Sequence, residues 1–184
     1  INCLKNNNLL NSDIVNSIFL NLIPISSNFN NKRFFSVNSF WFYSSFPFKN
    51  KIFNKNPDII FVPIHRNSCN TNNFPKENER NHWSLIVIDI FYKNIYYFDS
   101  LNLSGYIYLK KIKNILNKSI FNFNDWNLIQ CNKIPKQTDN YSCGIFMIQY
   151  AFEISLLKDK QFSNLCNYKF KFNQNNVLSL RTKF

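Results

Sequence analysis

Four residues in this chain have the types and spacing for acyl-transfer chemistry: His82, Asp99, Gln137 and Cys143. His82 opens the apolar run HWSLIVIDI, and Asp99 closes the run NIYYFDS 17 positions later. If the two runs pair antiparallel, any register in which paired residue numbers sum to an odd value puts both side chains on one face. A sum of 181 sets them directly opposite each other. Asp99 then accepts the imidazole N–H, fixes the tautomer and favours the protonated ring. A carboxylate that closes an apolar run is costly to bury without such a partner. Asp99 also reads as an exposed strand-end acid capping a turn at Ser100, and the pair by itself fits both readings.

Cys143 stands where the polar QTDNYSCG gives way to an apolar run, at the expected start of a helix. Unpaired backbone N–H groups and the helix macrodipole favour an anion there, and the thiolate is the nucleophilic form of cysteine. Alone, the residue equally fits an inert buried cysteine, the common fate of a free thiol. Gly144 beside it disfavours the helix but admits close approach of backbone or substrate. Gln137, six positions upstream, carries an amide N–H that can face the oxyanion of a tetrahedral intermediate; a lone loop Gln otherwise points to solvent. A metal centre is the competing use of such residues. His65, Cys69, His82 and Cys131 lack the C-x2–4-C or H-x3–5-H spacing of zinc sites, so no metal site is expected, and thiol acyl transfer by the four residues needs no organic cofactor.

These residues need a framework, and 184 residues with 45% hydrophobic content and 2 Gly are enough for one packed domain over residues 1–184. A net charge of +12 raises nucleic-acid binding, but the Lys and Arg are scattered with no run longer than two. A cationic surface inflated by residue usage explains the charge better, and no nucleic-acid partner is expected. Five cysteines, odd in number and without a CxxC pair, predict reduced thiols in the nucleus or cytoplasm. The apolar stretch 9–25 is broken by Asn11, Asp13, Asn16 and Asn21, so neither a signal peptide nor a membrane span is expected.

The positioning elements follow from periodicity. Ile14, Val15, Ile18, Phe19 and Leu22 recur at helical spacing behind Asn11 and Ser12, predicting a helix over 12–22. FFSVNSFWFYSSF fits a strand or a short helix. DIIFVPIH predicts a buried strand, RNSCNTNNFPKENERN a surface loop, and HWSLIVIDI with NIYYFDS a hairpin. YIYLKKIKNIL predicts an amphipathic helix, DWNLIQCN a short strand, and CGIFMIQYAFEISLL a helix buried on nearly every side. One more helix is expected after Phe170. The order implies an α+β domain with a mostly antiparallel sheet.

The order His–Trp, then Asp–Ser, then Gln with Cys–Gly six residues later resembles the SUMO-specific (sentrin-specific) cysteine proteases, an adenain-related branch with a papain-like fold. LNSDIVNSIFLNLI is similar to that family's opening helix, VNSFWFYSSF to its NSFF segment, IIFVPIH to its VPI strand, and KIPKQTDNYSCGIFMIQY to its PQQ-x-NG-x-DCG block. The resemblance runs from about Leu9 to Leu157. It implies a central helix that begins at a nucleophilic Cys143, with His82 as base and then acid, Asp99 orienting His82, and Gln137 in the oxyanion hole. It further implies a monomer acting on a SUMO-like modifier, with Trp83 over a narrow tunnel for the Gly-Gly tail and Gly144 and Leu9 at the same substrate site. Leu9 replaces the family's tryptophan, and Asp139, Asn140, Tyr141 and Ser142 replace its NG-x-D. The loop thus lacks its glycine and the acid beside Cys143; Asn140 tolerates the left-handed conformation the glycine would take. Two other readings are a protease for a different ubiquitin-like modifier and a weakly active homologue that only binds the modifier.

Overall fold

Apolar runs rich in β-branched and aromatic residues form five strands in one mixed sheet: β1 (Phe34–Ser36), β2 (Ile59–Arg66), β3 (His82–Asp89), β4 (Asn94–Phe98) and β5 (Asn127–Cys131). The computed structural model describes residues 8–22, 32–43, 56–68, 73–117 and 125–180. Spatial order follows chain order. β3 pairs antiparallel with β2 and β4, while β1 and β5 add parallel at the two edges. The antiparallel expectation describes the centre, and the parallel edges make the sheet mixed. Every residue of β3 and β4 is buried, which explains why their sequences read as unbroken apolar runs.

The β3–β4 hairpin forms without glycine because Lys93 takes the left-handed conformation, with φ of 51°, and Asp89 Oδ1 accepts the Tyr92 N–H at 3.0 Å. Leu85 pairs with Phe98, so paired numbers sum to 183. The odd sum puts His82 and Asp99 on one face, displaced by two residues from direct opposition.

The helices are α1 (Ser12–Ser17), which continues as a π-helical turn over Ile18–Leu22, α2 (Tyr106–Asn117), α3 (Cys143–Ser155), α4 (Asp159–Phe162) and α5 (Gln174–Leu180). Asn11 Oδ1 caps α1 by accepting the Ile14 N–H at 3.0 Å. Phe61, Leu85, Val87 and Phe98 pack with Ile145, Ile148 and Ile154 of α3 on one face of the sheet. Val62, Ile86, Ile88 and Ile95 pack with Leu109, Ile112 and Leu116 of α2 on the other. Each such aliphatic side chain contributes about 1.5–3 kcal/mol by leaving water. The FFSVNSFWFYSSF segment divides into β1 and a turn that reaches Tyr43; its remainder lies outside the described residues, as do positions 69–72 of the expected surface loop.

One expectation is corrected. Cys131 at the end of β5 and Cys166 are joined in a disulfide, with Cα atoms 4.7 Å apart across 35 positions of sequence. Local spacing reports only on nearby cysteines, and this pair is made by tertiary packing. Cys143 is free and buried, and Cys3 and Cys69 lie outside the described residues.

Candidate active site

At one end of the sheet, β3 begins with His82, the chain leaves β4 at Asp99, and α3 begins with Cys143. Asp99 is 2% exposed, which removes the reading of an exposed strand-end acid. Its Oδ1 lies 3.0 Å from His82 Nε2 and accepts the Leu101 N–H at 2.8 Å, so the same carboxylate also holds the turn after β4. Oδ2 accepts from the Tyr97 hydroxyl at 3.0 Å and lies 3.7 Å from Arg66 Nη1.

Charge follows from this arrangement. Burial pushes the Asp99 carboxyl up, but the hydrogen bond and charge of His82, the Arg66 guanidinium and the Leu101 N–H outweigh it and hold Asp99 below its ordinary value. Burial pushes His82 down; hydrogen bonds to Asp99 and Cys143, with the charges of the same two groups, win and raise it to about 9. The ring is therefore an imidazolium at neutral pH. With Nε2 on Asp99, Nδ1 is the nitrogen left for the sulfur.

The loop ahead of α3 is organised by an acid at a different position from the one the family motif carries. Asp139 Oδ1 accepts the N–H groups of Tyr141 and Ser142 at 3.0 and 2.7 Å, and Oδ2 accepts from Ser142 Oγ at 2.6 Å and from Gln174 Nε2 at 2.7 Å. Asp139 thus holds Ser142, which stands where the family motif has an acid. Asn140 is not left-handed: the positive-φ residues among those described are Asn56, Lys93 and Asn102. Gln137 is buried, not solvent-facing. Its Oε1 accepts from Ser100 Oγ at 2.5 Å, its Nε2 donates to Asp139 O at 2.7 Å, and its backbone N–H donates to Ser100 O at 3.1 Å.

Trp83 points to the opposite face from His82 and is 1% exposed. Its indole stacks on the His65 ring at 4.2 Å and 9°, and Nε1 donates to Leu10 O at 2.9 Å. Burial, with the charges of Arg80 and His82, lowers His65 to about 4 and keeps it neutral. Gly144 is a close-approach glycine: a Cβ there would meet Leu10 Cδ1 at 2.9 Å. Trp83, Gly144 and Leu10 therefore belong together, whereas Leu9 is 40% exposed. Sequence reasoning named Leu9 and missed its neighbour. It also missed Ser84, Tyr97 and Ser100, and it placed Arg66 at the start of the surface loop, whereas Arg66 is the last, buried residue of β2. Among the described residues no group of three or more His, Cys, Asp or Glu is placed to hold a metal ion.

The C-terminal catalytic domain of the Ulp1 protease family matches residues 2–184. The chain belongs to the Ulp1 protease family. A sentrin-specific protease of Caenorhabditis elegans is 29% identical over 162 residues, 77% of this chain and 21% of that protein. Human sentrin-specific protease 2 is 32% identical over 107 residues, 53% of this chain and 16% of that protein. The chain thus matches about a fifth or less of the length of these relatives. Among solved structures, the yeast C-terminal Ulp1 protease domain in complex with Smt3 has a TM-score of 0.65 at 20% identity, covering 97% of this chain and 75% of that one. The Ulp1-like SUMO protease catalytic domain of Chaetomium thermophilum has a TM-score of 0.66 at 17% identity, covering 96% and 70%. The likeness establishes the papain-like α+β fold of the Ulp1 family for this chain.

Proposed function

We propose that this chain is a thiol isopeptidase or endopeptidase that cleaves after the C-terminal Gly-Gly of a SUMO-like modifier. The observation that carries the reading is His82 held by Asp99 while coupled to Cys143 at a helix start. Family membership adds the substrate class. In the first step the Cys143 thiolate attacks the carbonyl carbon, a C–S bond forms and the carbonyl oxygen becomes an oxyanion. The reading gives stabilisation of that oxyanion to the Cys143 backbone N–H and to the Gln137 Nε2 proton not donated to Asp139 O. As the C–N bond breaks, the His82 imidazolium gives its proton to the departing lysine amine. Neutral His82 then takes a proton from water, which attacks the thioester and returns the sulfur as thiolate.

By its family resemblance we assign the Trp83 indole, which donates to Leu10 O and stacks on His65, the role of covering the Gly-Gly tail, where only residues without side chains fit. The cationic surface suits a folded modifier with acidic groups. By family resemblance we assign the enzyme to the nucleus or cytoplasm and expect a monomer. No helix among the described residues is long and apolar enough to cross a membrane.

A SUMO-derived probe with an electrophilic C-terminus tests the assignment. Wild-type protein forms a covalent adduct and Cys143→Ala does not. Binding without an adduct in wild type supports the binding-only reading, and preferential labelling by a probe built on ubiquitin or another modifier reassigns the substrate.

A further inference from the structure

Arg66 is an arginine whose side chain is only 2% exposed, and no catalytic step above uses it. Burying a guanidinium is costly unless its hydrogen bonds and charge are met. Here they are met by groups leading to the active site. Nη1 donates to the Tyr97 hydroxyl at 2.6 Å and to Ser104 O at 2.8 Å, while Nε donates to Asn67 O at 3.0 Å. The Tyr97 oxygen lies 3.0 Å from both Ser84 Oγ and Asp99 Oδ2. Because Arg66 donates into that oxygen, the single phenolic proton is left for an acceptor, and the charged carboxylate is the stronger one. The sheet places these groups on one face: Arg66 pairs directly across from His82, and Ser84, Tyr97 and Asp99 share the same side.

We propose that Arg66 is a positioning residue for the cysteine protease chemistry, its buried guanidinium acting through Tyr97 to hold Asp99 ionised and turned so that Oδ1 meets His82. The two carboxylate oxygens are thereby divided. Oδ1 serves the imidazole and the Leu101 N–H, and Oδ2 is anchored from behind. The inference rests on the isopeptidase reading above, and its consequences differ from those of a merely structural arginine.

Removing a buried positive charge raises the proton affinity of every ionisable group near it. The groups facing Asp99 are Arg66 from β2, His82 from β3, Tyr97 from β4, Tyr150 from α3, and Lys136, whose Nζ donates to Asp99 O at 3.1 Å from the loop ahead of α3. Tyr108 of α2 lies under the guanidinium, 5.1 Å from ring centroid to Cζ.

The test compares Arg66→Met, Arg66→Lys and Tyr97→Phe with wild type in two assays. One is steady-state cleavage of a SUMO-derived fluorogenic substrate. The other needs no substrate: the pH dependence of iodoacetamide alkylation at Cys143, read from the mass of the Cys143 peptide. Arg66→Met lowers kcat by at least about tenfold with KM within about twofold, and moves both limbs of the alkylation profile to higher pH by about one unit. Arg66→Lys, which keeps the charge and loses the fork, leaves the limbs in place and recovers part of kcat. Tyr97→Phe lowers kcat at unchanged KM with little movement of the limbs. The proposal is overturned if folded Arg66→Met keeps both limbs where wild type has them, or if Lys is no better than Met. Should Arg66→Met fail to fold, wild-type kcat in Tyr97→Phe overturns it instead. Absence of turnover by wild type defeats the isopeptidase reading, while the alkylation profile still decides the role of Arg66.

Discussion

The two faces of β3 hold their side chains by different physics. On the α3 face, Trp83, Leu85 and Val87 are fixed by close packing against Ile145, Met147 and Ile148. On the α2 face, Ile86 and Ile88 pack in the same way, but at the strand end the layer turns polar: His82 and Ser84 meet Tyr97, Asp99 and Arg66. Packing is tolerant in direction and sensitive to volume. Hydrogen bonds between buried charges are sensitive to both, because every lost partner leaves another group unsatisfied. Damage to the apolar face should therefore lower stability and spare the chemistry of molecules that remain folded. Damage to the polar end should reach both.

Asp99→Asn gives the largest separation. The amide keeps the shape but loses the charge, so it no longer favours the imidazolium or fixes the tautomer, and kcat falls by about 10³–10⁴. Arg66 also loses its buried counter-charge, which costs about 3–5 kcal/mol of stability. Kinetics on active-site-titrated enzyme and a denaturant melt check the two parts separately; wild-type kcat in the folded variant would falsify the assignment of Asp99.

Ile154→Ala is the matching change on the apolar side. Ile154 is fully buried three turns along α3 from Cys143. Truncation should cost about 2–5 kcal/mol by transfer and cavity terms. Cleavage per folded molecule should stay at the wild-type rate, and a large fall in kcat without loss of stability would break the contrast between the faces.

The Cys131–Cys166 disulfide belongs to the apolar side, since Cys131 lies in the α3 core. Closing a loop of 35 positions removes denatured-state entropy worth about 2–4 kcal/mol. Reduction should lower the melting temperature by roughly 4–16 °C. Cys166→Ser should melt at the reduced value with or without reductant, and equal melting of oxidised and reduced wild type would remove the staple from the account.

The same contrast explains what the sequence disclosed. Strands buried on both faces leave long apolar runs, and helices packed on one side leave a periodic stripe, so β2, β3, β4, α2 and α3 were legible. The hairpin parity that joins His82 to Asp99 was legible because side-chain direction alternates strictly along a strand. The edge strand β1 was not, because it spans three residues, too few to carry a period; β5 was read from DWNLIQCN, but not its parallel pairing. Polar partnerships depend on where distant side chains end, which no local pattern encodes. Hence Arg66 and Tyr97 behind Asp99 were missed, as were the Asp139 contacts that hold Ser142, the Cys131–Cys166 bond, and the packing of Leu10 on Gly144.

The smallest effect is a pH limb. His82 is raised to about 9. Relative to an unfolded value near 6.5, this contributes stability that is complete below about pH 6.5 and is lost as pH rises towards 9. Asp99 is shifted the other way; its contribution is present above the ordinary carboxylate value of 3.8 and disappears as pH falls through its depressed folded value. The pair therefore supports the fold most strongly between these limits. Activity follows the imidazolium, so kcat/KM should fall by about half at the His82 midpoint and tenfold for each further pH unit. Asp99→Asn removes the hydrogen bond and the charge that raise His82, so its alkaline limb should move to lower pH. Ile154→Ala, acting only through packing, should leave the limb where wild type has it. A limb that moves in both variants, or in neither, would mean that the polar end and the apolar face do not divide the work as their contacts imply.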